Sequence, residues 1–163
     1  MSHWESRGKS DEWYTPAYVF DALGLMFDLD VAAPEGGAPH VPARQALHCD
    51  GLTLPWHGLV WMNPPFGGRN GLTPWLDKFF EHGSGIALTP DRTSAGWWQD
   101  AARRADSILF VHGKIKFERP DGSTGDSPSC GTTLFATGEE ASLALHQAST
   151  KGMGWVSKGW SGA

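Results

Sequence analysis

Two rhythms of apolar and polar positions run along this chain, and the changes between them mark its elements. Val19, Phe20 and Leu23 recur at helical spacing, so a helix is predicted over residues 17–23. Thr15 would cap it, Pro16 would take its first position and Gly24 would stop it. Residues 26–31 alternate apolar and acidic side chains and predict a strand. The stretch 32–42, rich in Gly and Pro, reads as a loop of unusual length for a connection. A weak strand over 45–49 closes on Asp50-Gly51. The short apolar run 59–62 predicts the next strand. Helical spacing returns over 72–81, with Thr73 as cap and Pro74 at the first position. A strand over 85–88, a helix over 91–104 and a strand over 107–111 follow, then the segment 114–117 and a turn-rich loop over 120–128. A strand over 131–136 and a helix over 139–148 complete the pattern.

Strands alternate with helices from residue 26 to about residue 110. That order predicts an α/β fold, a mostly parallel sheet flanked by helices. Residues 1–10 read as a flexible N-terminal tail and 11–150 as one domain. Residues 151–163, rich in Gly, Ser and Trp, read as a loosely ordered C-terminal tail. There is no internal repeat and no linker of domain scale.

Composition narrows the classes. With 163 residues, 40% hydrophobic, the chain can bury a real core, which excludes a disordered chain. No apolar run approaches the roughly 20 residues of a membrane span, and the polar start has no apolar signal region. Cys49 and Cys130 lie far apart and outside metal-type spacing, so a cytoplasmic protein with free thiols is expected. The histidines show no ligand spacing either, and no metal is expected. A net charge of −5 argues against a large nonspecific DNA-binding surface. A local basic rim stays open, because Arg69, Arg92, Arg103, Arg104, Lys114, Lys116 and Arg119 all fall in the second half.

The sharpest chemical signal is Asn63-Pro64-Pro65-Phe66, directly after the strand over 59–62. Two prolines end a strand abruptly, since proline lacks an N–H and fixes its own φ. The residue before a proline is held extended. Asn63 is thus fixed at the strand's end with its amide directed out of the sheet. An amide oxygen, the Pro64 carbonyl and an aromatic face at Phe66 suit a planar amine such as N6 of adenine. Asp30, Asp50 and Thr89-Pro90-Asp91 also fall at strand ends, where open parallel sheets bind ligands. The competing reading of these polar residues is simple capping and turn formation.

The tetrapeptide resembles the (Asp/Asn/Ser)-Pro-Pro-aromatic motif of the amino-methyltransferases, in its N6-adenine form. Trp13-Tyr14-Thr15-Pro16 resembles the aromatic-Thr-Pro motif that flanks the methionine end of S-adenosyl-L-methionine (AdoMet) in DNA adenine methyltransferases. Residues 27–34 look like the first strand and turn of an AdoMet site, with Ala32-Ala33 where relatives carry a glycine-rich turn. With Asp50-Gly51-Leu52 and the segment 113–117, these motifs resemble, in order, the compact phage and prophage DNA N6-adenine methyltransferases (Dam-type). The resemblance runs from about residue 11 to residue 136.

It implies a Rossmann-like class I AdoMet-dependent fold with no separate target-recognition domain, and hence short or relaxed sequence specificity. It implies cofactor contacts at Trp13, Tyr14, Thr15, Pro16, Asp30, Ala32 and Asp50. Asp30 would attract the cofactor's amino group, and Asp50 would contact its adenosine part. It implies catalysis by Asn63, Pro64, Pro65 and Phe66. Phe117, Lys116 and Arg69 would meet DNA whose target adenine has swung out of the duplex. Three alternatives compete: a protein-glutamine methyltransferase, a non-catalytic DNA- or AdoMet-binding relic of the fold, and a structural phage protein with a fortuitous motif. Nothing in the sequence sets an oligomeric state.

Overall fold

The computed structural model describes residues 13–65 and 71–159. The expected tail at 1–10 lies outside them. In chain order the elements are α1 (Ala17–Leu23), β1 (Phe27–Asp30), β2 (Ala43–Ala46), β3 (Val60–Met62), α2 (Thr73–His82), β4 (Gly85–Pro90), α3 (Gly96–Arg104), β5 (Ser107–Val111), β6 (Thr132–Thr137), α4 (Glu139–Thr150) and β7 (Gly154–Lys158). The seven strands form one sheet in the order β2-β1-β3-β4-β6-β5-β7.

The expectation of a mostly parallel sheet needs correction. The neighbours β2-β1, β1-β3 and β3-β4 run parallel, with ladders of three, two and three residue pairs. The neighbours β4-β6, β6-β5 and β5-β7 run antiparallel, with longer ladders of six, four and five pairs. Two strands run against the rest: β6, which inserts between β4 and β5, and β7, which pairs with the outer edge of β5. Alternation of strand and helix describes the first half of the sheet. No helix separates β5 from β6, so nothing imposes a parallel crossover there.

The sheet is covered on both faces. Trp61, Ile86, Leu88, Leu109, Leu134 and Ala136 face α1 and α4. Val60, Met62, Ala87, Ile108 and Phe135 face α2 and α3. Neighbouring residues within β3 to β6 thus go to opposite faces, the period-2 pattern of a strand buried on both sides. Trp61 is almost fully buried. Its ring centroid lies 4.8 Å from Phe20 and 5.6 Å from Phe27. Such aromatic pairs add roughly 0.5–1.5 kcal/mol each beyond the area they bury. They anchor the short strand β3 that carries Asn63.

Several boundaries differ from the sequence reading. Thr15 does not cap α1: the N-cap is Pro16, at ψ 153°, and no side chain bonds the helix end. Gly24 does stop the helix, at φ 65°, its N–H donating to the Phe20 carbonyl. Thr73 lies inside α2, and Leu72 holds the cap position. The helix expected from residue 91 begins at Gly96, because residues 91–95 are held as a turn. There the Asp91 N–H donates to the Gly131 carbonyl and Ala95 to Arg92. Residues 154–158, expected within a loose tail, form β7 against β5. Among the described residues no helix is long and apolar enough to cross a membrane.

Candidate active site

The chain passes from β1 outward to β2, and β3 returns on the other side of β1. The strand order therefore reverses at β1 and β3, and a crevice opens beyond their carboxyl ends. Asp30 is the last residue of β1, level with Trp61 of β3. Asn63 follows β3 directly. An open cleft of about 1370 Å³ fills this end of the sheet. Trp13, Tyr14, Thr15, Asp30, Ala32, Asp50, Asn63, Pro64, Pro65 and Phe117, named from sequence, all line it.

The β1 side of the cleft carries a buried acid. Asp30 is 4% exposed, and its Oδ1 accepts the Ala32 N–H at 3.2 Å. Burial raises its pKa from 3.8 to about 6, a rise that the Ala32 N–H and the nearby His48 partly offset. A buried carboxyl held neutral in this way regains its charge readily only beside a cation. Opposite it, Asp50 is exposed and holds φ 55°, the one non-glycine with positive φ among the described residues. Its carbonyl collects the N–H groups of Thr53 and Leu54 and the Thr53 hydroxyl. A Cβ on Gly51 would lie 2.1 Å from the Val31 carbonyl oxygen, so only glycine lets this turn press against the end of β1. Lys78 holds the turn by donating to the Gly51 and Leu52 carbonyls, and Trp56 Nε1 donates to Gly51 at 2.7 Å.

The β3 side carries the amide. Asn63 is half-buried, Pro64 buried and Pro65 exposed. Asn63 Nδ2 donates to the Thr15 hydroxyl at 3.3 Å, across 48 positions of sequence. Thr15 is itself 4% exposed. The preceding residue is locked in place: the Tyr14 N–H donates to the Glu118 carbonyl at 2.8 Å, and Glu118 returns the bond at 2.9 Å. The Glu118 carboxylate meets His40 Nε2 at 2.7 Å. The N-terminal motif, the long loop after β1 and the segment after β5 therefore meet over the cleft. The Arg119 guanidinium lies 5.3 Å from the Trp13 ring centroid.

Two positions depart from the sequence reading, and two lie outside the described residues. Pro16 starts α1 and is not part of the cleft wall. Lys116 is exposed on the segment after β5 and does not line the cleft either. Phe117 lines the cleft and also packs against the α1/α4 face of the core. Phe66 and Arg69 lie outside the described residues. The structure adds Arg92, Arg119, Trp75 and Trp97 to the wall. The two arginines were visible as part of a basic second half. Only the turn after β4 and the pairing of Glu118 with Tyr14 bring them to the cleft. Among the described residues no group of three His, Cys, Asp or Glu is arranged to hold a metal ion.

The sequence matches one known family. A family model described as DNA N-6-adenine-methyltransferase (Dam) matches residues 3–140. Neither the curated proteins nor the solved structures compared with the chain gave a match.

Proposed function

The chain belongs to the DNA N-6-adenine-methyltransferase (Dam) family, and from that premise we propose that its cleft transfers a methyl group from AdoMet to N6 of adenine in DNA. The observation that carries this reading is the pairing of Asp30 and Asn63 at adjacent strand ends in one cleft. One supplies a buried carboxyl for a cationic amino group. The other supplies an amide oxygen for an exocyclic amine.

The residues fit the cofactor. Asp30 is buried and poised to take a positive charge. Gly51 lets the turn press against the end of β1, and that turn brings Asp50 to the cleft. When bound, AdoMet supplies an electrophilic methyl group on a sulfonium centre. The chain's own residues do the rest. Asn63 Oδ1 and the Pro64 carbonyl accept the two hydrogens of N6. Those bonds draw the nitrogen lone pair out of conjugation with the ring and aim it. Phe66 and Phe117 take the stacking role on the extruded base. The N6 proton released on transfer leaves through these acceptors toward solvent, because the cleft is open. Positioning and electrostatics carry the rate enhancement, with no covalent link to the protein.

DNA is held by a small set of cations. Arg92 and Arg119 line the cleft, and Lys114 and Lys116 are exposed on the segment that carries Phe117. The alternative of a protein-glutamine substrate rests on the net charge of −5 and on the suitability of the motif for any planar amide. One experiment separates the two. The protein is incubated with methyl-labelled AdoMet and methyl-free DNA, and the DNA is digested to nucleosides. Label in N6-methyldeoxyadenosine supports the reading. Label absent from DNA but present in added protein would overturn it.

A further inference from the structure

Thr15 is left with an unusual position once α1 is understood. Its sequence context suits a helix cap, yet Pro16 holds that place and the Thr15 side chain makes no bond to the helix. Its hydroxyl instead meets Asn63 Nδ2 at 3.3 Å. We infer that Thr15 is a positioning residue for methyl transfer, the group that anchors the Asn63 amide at the end of β3. This inference rests on the reading of Asn63 as the N6 acceptor.

The physical need is plain. An Asn amide has nearly the same shape in either orientation, with donor and acceptor ends exchanged. Turned one way, Asn63 presents an oxygen to the two N–H groups of an adenine amine. Turned the other way, it presents two donors to two donors. The Thr15 hydroxyl accepts the Nδ2 hydrogen in the orientation that leaves Oδ1 to the adenine amine. Because a hydroxyl can also donate, it anchors the amide plane at the end of β3, and the two donors of the amine select the orientation. The hydroxyl also satisfies a donor that is half withdrawn from water. Thr15 can do this because it is immobile. It is 4% exposed, it follows Tyr14, which exchanges two backbone hydrogen bonds with Glu118, and it precedes a proline. The amide at the end of β3 is thus anchored by the N-terminal segment.

The test compares Thr15→Val and Thr15→Ser with the wild-type protein. Valine keeps the shape and removes the acceptor, whereas serine keeps the acceptor. Thr15→Cys is a second deletion of the acceptor, since a thiol fills the space but accepts poorly. Expected for Thr15→Val and Thr15→Cys is a fall in kcat of about 10- to 100-fold, the size of loss a misaimed reacting group produces. The loss should persist at saturating AdoMet, Tm should stay close to wild type, and Thr15→Ser should recover most of the rate. The second readout is the Asn63 side-chain amide by ¹⁵N NMR, ordered in wild type and Thr15→Ser and loosened in Thr15→Val. Wild-type kcat in Thr15→Val would overturn the inference. So would a rate loss explained wholly by weaker AdoMet binding, or a Thr15→Ser variant as slow as Thr15→Val. If the wild-type protein leaves DNA unmethylated, the adenine reading fails and NMR alone decides. An equally ordered Asn63 amide in Thr15→Val would then refute the anchor, and a loosened one would uphold it.

Discussion

If Asp30 takes the cofactor's amino group, as proposed, it serves binding at the expense of stability, and the two effects can be separated. Its carboxyl titrates near pH 6 in the fold and near 3.8 when unfolded. Between those values the native state holds the extra proton, so stability falls as pH rises through this window. Above about pH 6 the penalty is fully present, on the order of 3 kcal/mol from the size of the shift. Below about pH 4 it vanishes. Asp30→Asn should therefore raise Tm at pH 7 and leave it unchanged at pH 3.5, as followed by thermal melts. The same variant should weaken AdoMet binding at pH 7 by about tenfold or more, the scale of a lost charge-assisted bond. In the wild type, calorimetry should show AdoMet affinity falling as the pH drops below 6. Asn63 makes the complementary case. Asn63→Ala should keep AdoMet affinity and fold while losing about 10²–10³ in rate, the usual cost of one transition-state hydrogen-bond partner.

The elements show which parts of this fold are local and which are not. β3 and β5 are legible in sequence because each is a short apolar run between breakers, Asn63-Pro64 after one and His112-Gly113 after the other. Asn63, Asp30 and Asp50 could be assigned to strand ends and turns on that basis alone. The long-range pairings could not. Tyr14 and Glu118 meet as an isolated antiparallel bridge, and neither residue type announces it. The late start of α3 is set by the Gly131 carbonyl, which captures the Asp91 N–H from the start of the neighbouring strand β6. The composition of residues 151–163 suggested looseness, yet Trp155 stacks on Phe110 at 5.6 Å and five residues pair with β5. Removing residues 154–163 should accordingly lower Tm by at least about 5 °C, the scale expected for a loss of a few kcal/mol in a chain of this size. An unchanged Tm would show that the tail contributes nothing. At the cleft, Gly51→Ala should destabilise by about 2 kcal/mol or more, because the new Cβ meets the Val31 backbone. Chemical denaturation measures that directly.

On the scale of the whole molecule, a half-parallel, half-antiparallel sheet divides the labour. The parallel half, β2-β1-β3-β4, makes the switch-point cleft. The antiparallel half brings the segment after β5 back over that cleft, with Phe117, Glu118 and Arg119. A net charge of −5 argues against a broad basic face for DNA. If Arg92, Lys114, Lys116 and Arg119 supply the phosphate contacts, log affinity against log salt should have a slope no steeper than about −4. A filter-binding titration over a range of salt concentrations would read it, and a much steeper slope would point to a DNA surface elsewhere on the molecule.

The most direct test of the central claim is single-turnover methyl transfer to adenine in methyl-free DNA, measured side by side for wild type and Asn63→Ala with AdoMet saturating both. A fast wild-type transfer that collapses in the variant, with AdoMet binding intact, is the result this account requires. Equal rates in the two proteins would contradict it, and would move the chemistry away from the end of β3.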